Sequence, residues 1–351
     1  MNKIINKSLF YKEWINVKYI TILTTLILLY FKFFGVISEL NLNKMNIKEN
    51  GEIWTNRWFN NGLFVRFSYF YVMVFIIILL AIVLFLGEKN SQTQGFIASM
   101  PFTRKEIIIN KWIVGTFSIV ISFGITYIAL SLFYAANLNA IDTTLNPYSD
   151  IVKWFFIDVF QYVCIFTFIM FMQTIMGNSI VSSIVGGIIL LVPYFIIGIL
   201  NEIAYKTIEF QENNYICSIF AKLKAWLTIY QYNFPQQEWY DNGKDMFRTF
   251  YYTNYELKLV ILFILTCLFL YLAYVFYKKR NLEYNLRLLA FKKLEPVFMC
   301  GFTVCAGLFI GAILGFGYSS NLNMFWLFTI TGCIAGYFIS KILVKTLSWG
   351  K

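Results

Sequence analysis

The sequence predicts an all-α integral membrane protein with about eight transmembrane helices. Of its 351 residues, 59% are hydrophobic and only 13% are charged, whereas soluble domains carry about 25% charged residues. The mean hydropathy is +0.65. A helix needs about 20 mostly apolar residues to cross the hydrocarbon core of a bilayer. Eight stretches meet this length, near residues 17–37, 67–86, 112–136, 154–176, 179–200, 257–277, 297–317 and 323–340.

The charges between these spans predict the orientation of the chain. One alternate set of connecting segments comprises residues 1–18, 87–111, 177–178, 278–296 and 341–351, and it holds most of the Lys and Arg residues although it is the shorter set. Positive segments stay in the cytoplasm, so both termini are expected there, in a multi-pass protein of the cell (plasma) membrane. The net charge of +11 is therefore a topology signal, and no nucleic acid partner is expected. The late and long first apolar run lacks a cleavage site, so no cleavable signal peptide is expected.

Charged residues within the spans are few. Lys32 lies near the predicted outer end of the first span, where its side chain is expected to snorkel to the interface. Asp158 lies similarly near the outer start of the fourth span. Carboxylates at mid-membrane are typical of ion-driven carriers, and none is predicted here, so ion coupling is not expected.

Residues 87–111 form a polar, basic segment between the second and third spans. Thr103 and Glu106 have the spacing of a capping box, which begins a helix. This helix is predicted to run from Arg104 into the third span without a break. Pro101 disfavours helix in the residue before it and separates this helix from an interfacial one near 89–100 that carries Phe96.

Two later segments each allow two interpretations. The aromatic-rich external stretch 201–258 is interpreted as an aromatic belt whose helices rest on the outer leaflet, or as a small cap or gate for an amphipathic cargo. Segment 278–296 is predicted to be a helix with Leu282, Leu286 and Leu289 on one face. It is either a basic amphipathic helix on anionic lipid or a second cytoplasmic contact made by Arg280, Leu282, Leu286 and Arg287.

Glycines interrupt the fifth and seventh spans. Gly186 and Gly187, with Pro193 beyond them, predict close helix packing or a kink in the fifth span, with a moving hinge as the alternative. The seventh span has small residues at intervals of four, which predict packing against a neighbouring helix; its glycines are Gly301, Gly307, Gly311, Gly315 and Gly317.

Several kinds of chemistry are missing from the sequence. The chain has no histidine and no GxxxxGK[ST] phosphate-binding loop, so His-based acid/base catalysis and the usual nucleotide hydrolysis are not expected. Five of the six cysteines fall within apolar spans, and only Cys217 lies in a predicted external loop. The chain is therefore expected to be neither an enzyme nor a metal-binding protein. A partner must supply the energy for any transport.

Segment 88–111 resembles the coupling region of the permeases of ABC (ATP-binding-cassette) type-2 exporters. That family places a Glu after the second helix, a Thr five residues later, a Pro, a Ser/Thr-Arg pair and a Lys at the start of the third helix. The matching residues are Glu88, Thr93, Pro101, Thr103, Arg104 and Lys111. Gln92 and Asn110 stand where the family has glycine. Lys12-Glu13 resembles the family's N-terminal interfacial helix, and residues 277–283 resemble the basic stop of its six-helix unit.

The resemblance implies a six-helix permease core at residues 1–283, with coupling segment 87–111 and an external loop at 201–256. Residues 284–351 would be an extension with helices seven and eight, similar to eight-helix permeases of Gram-positive-like bacteria. A separate cytoplasmic ATPase dimer would hold ATP and Mg²⁺, and this chain would hold no cofactor. The implied ATPase contact residues are Glu88, Thr93, Phe96, Pro101, Thr103, Arg104, Lys105, Glu106 and Lys111, with Lys105 and Lys111 also anchoring at lipid headgroups.

The implied function is export of an amphipathic, peptide-like or lipid-like substrate, of the kind involved in antibiotic or peptide resistance. Such permeases act as pairs, so a homodimer or a heterodimer with a second permease subunit is expected, surrounded by membrane lipids. The alternative is a membrane sensor or scaffold that keeps this fold, transports nothing and signals with an ATPase partner. For segment 87–111 the simpler alternative is an ordinary basic loop that only sets topology.

Overall fold

The computed structural model describes residues 7–51, 56–64, 68–89, 102–207, 214–241, 246–280, 287–319 and 321–348. Within these ranges, eight helices are long and apolar enough to cross a membrane. The predicted all-α membrane class and the number of spans are therefore confirmed. The spans are Lys7–Asn50, Tyr69–Lys89, Arg104–Ala136, Ser149–Ile175, Ser179–Thr207, Tyr255–Lys279, Lys292–Gly317 and Leu322–Thr346.

The described secondary structure comprises twelve α-helices and two strands. In chain order they are α1 (Lys7–Leu28), α2 (Phe34–Asn50), α3 (Trp58–Phe64), α4 (Ser68–Lys89), α5 (Arg104–Ala136), α6 (Ser149–Ile175), α7 (Ser179–Ile189), α8 (Val192–Thr207), α9 (Asn214–Leu227), β1 (Gln236–Asp241), β2 (Met246–Tyr251), α10 (Tyr255–Lys279), α11 (Glu295–Ile310) and α12 (Leu322–Ser348). A π-helical turn joins α1 to α2 at Leu29–Phe33, and another continues α11 at Gly311–Ser319.

The described residues fall into two compact units, drawn from 1–84, 103–168 and 232–271 and from 85–102, 169–231 and 272–351. In the first unit, α1 packs along α5 through small hydroxyl side chains. Thr21 and Ser118 share a hydrogen bond of 2.7 Å, and the Ser122 hydroxyl donates to the Thr21 carbonyl at 3.1 Å. Small hydroxyl residues allow helices in a membrane to approach closely and to hydrogen-bond.

The first helix is longer than the sequence analysis expected. The sequence predicts a first span near residues 17–37, but α2 continues to Asn50 and ends at Gly51 with a φ of 69°. No glycine or proline occurs between Ser38 and Asn50, so nothing in the sequence stops the helix before Gly51. A glycine in the left-handed conformation is a common helix end.

The aromatic-rich stretch 201–258 contains a β-hairpin that the sequence analysis did not predict. Strands β1 and β2 pair in antiparallel register, with Gln236 opposite Tyr251. Phe250 on β2 packs against Phe64 of α3, with ring centroids 6.0 Å apart. The hairpin, which belongs to the first unit, is therefore held against α3 by this aromatic contact.

In the second unit, the fifth span is broken as predicted. Helix α7 ends at Ile189 and α8 begins at Val192, with Pro193 in its first turn. Gly186 lies close to α6, since a Cβ atom there would be 3.2 Å from Cγ of Met172. The Leu191 N–H donates to the Ile188 carbonyl at 2.9 Å, and the Gly187 carbonyl instead accepts from the hydroxyl of Tyr230 at 3.0 Å. The tyrosine thus satisfies a backbone group at the break.

Three glycines of the seventh span pack as predicted, whereas two do not. Cβ atoms at Gly307, Gly311 and Gly315 would come within 2.3 Å of atoms in α12. Gly301 and Gly317 have no heavy atom within 4 Å of such a position, so the packing interpretation is wrong for these two. Gly307, Gly311 and Gly315, which are spaced four residues apart, therefore form the face that packs closely against α12.

The predicted continuous helix over 278–296 is wrong where the structure describes this segment. Helix α10 ends at Lys279, and Leu289 forms an isolated antiparallel bridge with Met176. The Gly177 N–H donates to the Leu288 carbonyl at 3.3 Å, and the Ala290 N–H donates to the Ile175 carbonyl at 2.8 Å. The turn after α6 offers unpaired backbone groups, and residues 288–290 satisfy them in an extended conformation.

Candidate functional site

The start of α5 carries the capping box that the sequence predicts. The Glu106 N–H donates to the Thr103 hydroxyl at 3.2 Å, and the Thr103 N–H donates to Glu106 Oε2 at 2.8 Å. Each side chain therefore satisfies one of the backbone donors that a helix start leaves unpaired. Thr103, Arg104 and Lys105 are exposed. The helix therefore starts with polar, exposed residues.

Helix α5 is 33 residues long, and its first buried residues come within one turn of its start. Ile107 and Ile108 are buried, and so is Asn110, whose side-chain amide donates to the Glu106 carbonyl at 2.8 Å. Asn110 occupies a position at which the resembled family has glycine, and this structure accommodates its side chain. The predicted unbroken run from Arg104 into the third span is confirmed.

Lys111 forms a buried ion pair with Glu13. Lys111 Nζ lies 3.1 Å from Glu13 Oε1, and the two side chains are 2% and 5% exposed. Lys111 Nζ also donates to the Leu84 carbonyl of α4. The expectation that Lys111 anchors at lipid headgroups is therefore wrong. Its ammonium group instead ties together α1, α4 and α5.

Lys12 approaches the same carboxylate from the surface. Its Nζ is 4.0 Å from Glu13 Oε1, and its side chain is 44% exposed. The N-terminal Lys-Glu pair and the lysine at the start of the third span, which resemble separate motifs, thus meet at one carboxylate. Sequence reasoning did not predict this contact.

The other predicted site residues with described positions lie in the second unit. The Tyr277 hydroxyl donates to Glu88 Oε2 at 3.0 Å, so the end of α4 contacts the end of α10. Arg280 is buried and donates to the Gln173 carbonyl at 3.2 Å. Arg287 is half-buried. The hydrogen bond between Tyr277 and Glu88 thus joins the C-terminal ends of α10 and α4.

Lys89 belongs to this cluster although sequence reasoning missed it. It is buried, and its Nζ donates to the Met176 carbonyl at 2.9 Å and to the Ser182 hydroxyl at 3.1 Å. It also donates to the side-chain oxygen of Gln173. The signal in the sequence was the presence of a glutamine and of neighbouring serines inside two apolar spans, since polar residues there usually have a partner.

A second missed cluster lies in the first unit around Lys32 and Asp158. Both are buried, so the expected snorkelling of Lys32 is wrong. Lys32 Nζ donates to the Leu63 carbonyl at 2.8 Å and lies 4.4 Å from the ring centroid of Tyr69. Asp158 accepts from the Tyr69 hydroxyl at 2.5 Å and from the Asn233 amide at 2.9 Å. The sequence analysis identified both charged residues but did not predict their partners.

Five predicted site residues lie outside the described residues. They are Thr93, Phe96, Pro101, Leu282 and Leu286. Within the described part of the chain, no group of three or more Cys, Asp or Glu residues could hold a metal ion.

Comparison with known proteins gives one match that covers most of the chain. A family model described as ABC-2 family transporter protein matches residues 12–282. No curated protein and no solved structure matches significantly. The matched range contains Glu13, Lys111, the capping box and the cluster around Lys89.

Proposed function

The chain belongs to the ABC-2 family of transporter proteins, and from this premise we propose that it is the permease of an exporter driven by a separate cytoplasmic ATPase. Membership makes it a multi-pass membrane component of an ABC system. The proposal adds the direction of transport, the coupling residues and the class of cargo. The cargo proposed is amphipathic, either peptide-like or lipid-like, and the host is proposed to be bacterial.

One observation carries the coupling role of the segment around Thr103. An exposed, capped helix start continues directly into a helix of 33 residues, so a displacement at Thr103 moves the third span as one rod. Thr103, Arg104 and Lys105 at the tip are exposed, whereas Ile107 and Ile108 in the next turn are buried. A contact surface joined rigidly to a membrane span is what a permease needs to receive work from an ATPase.

Lys111 and Glu13 support this role without contacting the partner themselves. Both side chains are almost fully buried, so we assign Lys111 a positioning role in place of a direct ATPase contact. The ion pair fixes the base of α5 against α1. Arg104, Lys105 and Glu106 are the proposed contacts in the first unit, and Glu88 is the proposed contact in the second, together with Thr93, Phe96 and Pro101 of the same segment.

The proposed test is purification of the chain in mild detergent with its partners. A nucleotide-binding subunit in roughly stoichiometric amount is expected, and Arg104→Glu is expected to remove it. An acidic residue at a helix N-terminus is favourable, so this substitution should not unfold α5. Lys341→Glu is the matched control, because Lys341 is exposed and lies on the same predicted side outside the family match. Loss of the subunit in both variants, or in neither, would contradict the proposed contact.

A second measurement separates an exporter from a sensor or scaffold. In vesicles that contain the permease and its ATPase, candidate cargo should stimulate ATP hydrolysis and accumulate on one side. Glu88→Gln should uncouple the two activities. A scaffold would bind the ATPase and show neither accumulation nor sensitivity to this change. Cross-linking of the purified complex would decide between a homodimer and a heterodimer of permeases.

A further inference from the structure

An apolar cavity of about 790 Å³ lies within the second unit. One wall is formed by α8 and the break before it, including Leu191, Phe195 and Ile199; the other is formed by α11 and its π-helical continuation, including Phe302 and Phe309. Sites for small ligands usually measure about 300–1,000 Å³ and are mostly apolar with a few polar groups. The cavity therefore has the size and lining of a ligand site.

Both walls are interrupted helices, and the interruptions border the cavity. Leu191 lies between α7 and α8, and Ala312 and Phe316 lie in the π-helical turn after α11. Irregular backbone at membrane depth is tolerated where it is buried in protein or lines a cavity, and π-helical turns are frequent at functional sites. Interrupted spans that face each other point to a binding site between them.

The length of the cavity matches one leaflet of a bilayer. The helix from Leu191 to Glu202, both of which line the cavity, rises about 16 Å at about 1.5 Å per residue. Half of a hydrocarbon core of about 30 Å is about 15 Å. An acyl chain of a lipid in that leaflet therefore fits the apolar part. With the orientation that the charges predict, this is the outer leaflet.

The mouth of the cavity carries one acid and one base. Glu202 lines it, and Lys206 follows one turn later with its Nζ 4.5 Å from the ring centroid of Phe316, another lining residue. No ion pair within 4 Å links Glu202 to a cation in the described part of the chain. Side chains four residues apart on a helix are neighbours, with Cβ atoms about 5–6 Å apart.

We propose that this cavity binds a glycerophospholipid with a phosphoethanolamine head group and one acyl chain between α8 and α11. The Glu202 carboxylate would accept from the primary ammonium group of the lipid, and the Lys206 ammonium group would donate to its phosphate, since charge-assisted hydrogen bonds are the strong ones. The inference goes beyond export, because α11 lies outside the family match and the lipid is a resident ligand. It does not depend on the ATPase.

The test uses the full chain in nanodiscs that contain a photoactivatable phosphatidylethanolamine with its reactive group in mid-chain. Cross-links are expected in the peptides around Phe302 and Phe309. Gly198 lines the cavity, and a Cβ atom there would meet nothing within 4 Å, so Gly198→Leu fills the cavity without straining the fold. It should lower cross-linking about fivefold or more, because the added leucine side chain occupies apolar space that the acyl chain of the lipid would otherwise fill.

Gly301→Leu is the matched control, because Gly301 is also a helical glycine with open space around it, and it does not line the cavity. This variant should retain full cross-linking. Equal cross-linking in wild type and Gly198→Leu would mean that only annular lipid is captured, and it would overturn the proposal.

A separate variant tests the assignment of the lipid head group. Wild-type protein should cross-link the phosphatidylethanolamine probe in preference to matched phosphatidylcholine and phosphatidylglycerol probes. Glu202→Gln should reduce the preference over phosphatidylglycerol about fivefold, which is the size expected of an interfacial ion pair. If the three probes react equally with wild type, or if Glu202→Gln leaves the preference unchanged, the assigned lipid is wrong.

Discussion

Lys111 and Lys12 share one carboxylate, and their comparison shows what burial does to an ion pair. Lys111 is 2% exposed and 3.1 Å from Glu13 Oε1, whereas Lys12 is 44% exposed and 4.0 Å away. An exposed pair contributes about 0–1 kcal/mol. Removing one partner of a buried pair costs about 3–5 kcal/mol, because the other charge stays buried without compensation.

We therefore predict that Lys111→Gln and Glu13→Gln each destabilise the protein by about 3 kcal/mol. The double variant should cost less than the sum of the two, because it leaves no uncompensated charge. The free energy of unfolding is measured by denaturant titration in detergent with tryptophan fluorescence. Lys12→Gln is the control and should cost less than about 0.5 kcal/mol. Additive single effects, or a large effect of Lys12→Gln, would contradict the assigned pair.

A contact between residues close in the sequence can be predicted from the sequence, whereas a contact between distant residues cannot. The capping box of Thr103 and Glu106 was predictable, because its partners are three residues apart and the spacing is itself the geometry. The partners Glu13 and Lys111 lie 98 positions apart, so their contact follows from the packing of α1 on α5. The same reason hid the partners of Lys32 and Lys89, whose charges were visible but whose acceptors come from distant helices.

At the scale of elements, the break between α7 and α8 shows how a membrane helix tolerates an interruption. The Gly187 carbonyl accepts from Tyr230 at 3.0 Å, and α9 brings this tyrosine back alongside α8, where Lys224 lies 4.6 Å from the ring centroid of Tyr194. A backbone acceptor left unpaired in an apolar setting is costly. The returning segment therefore stabilises the break.

Tyr230→Phe should destabilise the second unit by about 1–3 kcal/mol, since it leaves the buried Gly187 carbonyl without this donor. The midpoint of thermal unfolding in detergent is the measurement. Tyr215→Phe is the control, because Tyr215 is 73% exposed on α9. If both variants melt at the wild-type temperature, the hydrogen bond does not hold the break.

The close packing of α11 and its continuation on α12 makes a separate prediction. A Cβ atom at Gly315 would lie 2.3 Å from the backbone Cα of Phe325, whereas at Gly317 it would meet nothing within 4 Å. Gly315→Ala should therefore cost at least about 1–3 kcal/mol through overpacking, and Gly317→Ala should be neutral. Thermal unfolding of the two variants decides the point, and an equal loss in both would contradict the interpretation.

Helices were easier to predict than the segments between them. Long apolar runs and the glycine and proline positions of the fifth span are local signals, and they located the spans and the break. The hairpin at β1 and β2 was hidden, because its strands lie in a stretch whose aromatic residues also suit a membrane interface. Leu282, Leu286 and Leu289 have a helical apolar spacing, but the turn after α6 needs backbone partners, and residues 288–290 supply them through hydrogen bonds to Gly177 and Ile175.

For the whole molecule, the family, the number of spans and the exposed tip of α5 agree on a permease, while the orientation depends on the charge distribution alone. ATP is cytoplasmic, so the proposed coupling requires Thr103 to face the cytoplasm. The long stretch that contains α9 would then face the exterior. Cys217 on α9 is exposed, and Thr103 is exposed as well, so the chain offers one reporter on each predicted side.

We predict that a membrane-impermeant maleimide applied to intact cells labels native Cys217. In a Cys217→Ser background, Thr103→Cys should be labelled only after permeabilisation. Cys267 and Cys300 are exposed within the spans, but they should contribute little in the background, because a charged, membrane-impermeant reagent does not enter the hydrocarbon core. Labelling of Thr103→Cys in intact cells would place the start of α5 on the side without ATP. The positive-inside assignment and the proposed coupling would then both fail, whereas the lipid site between α8 and α11 would remain and move to the inner leaflet.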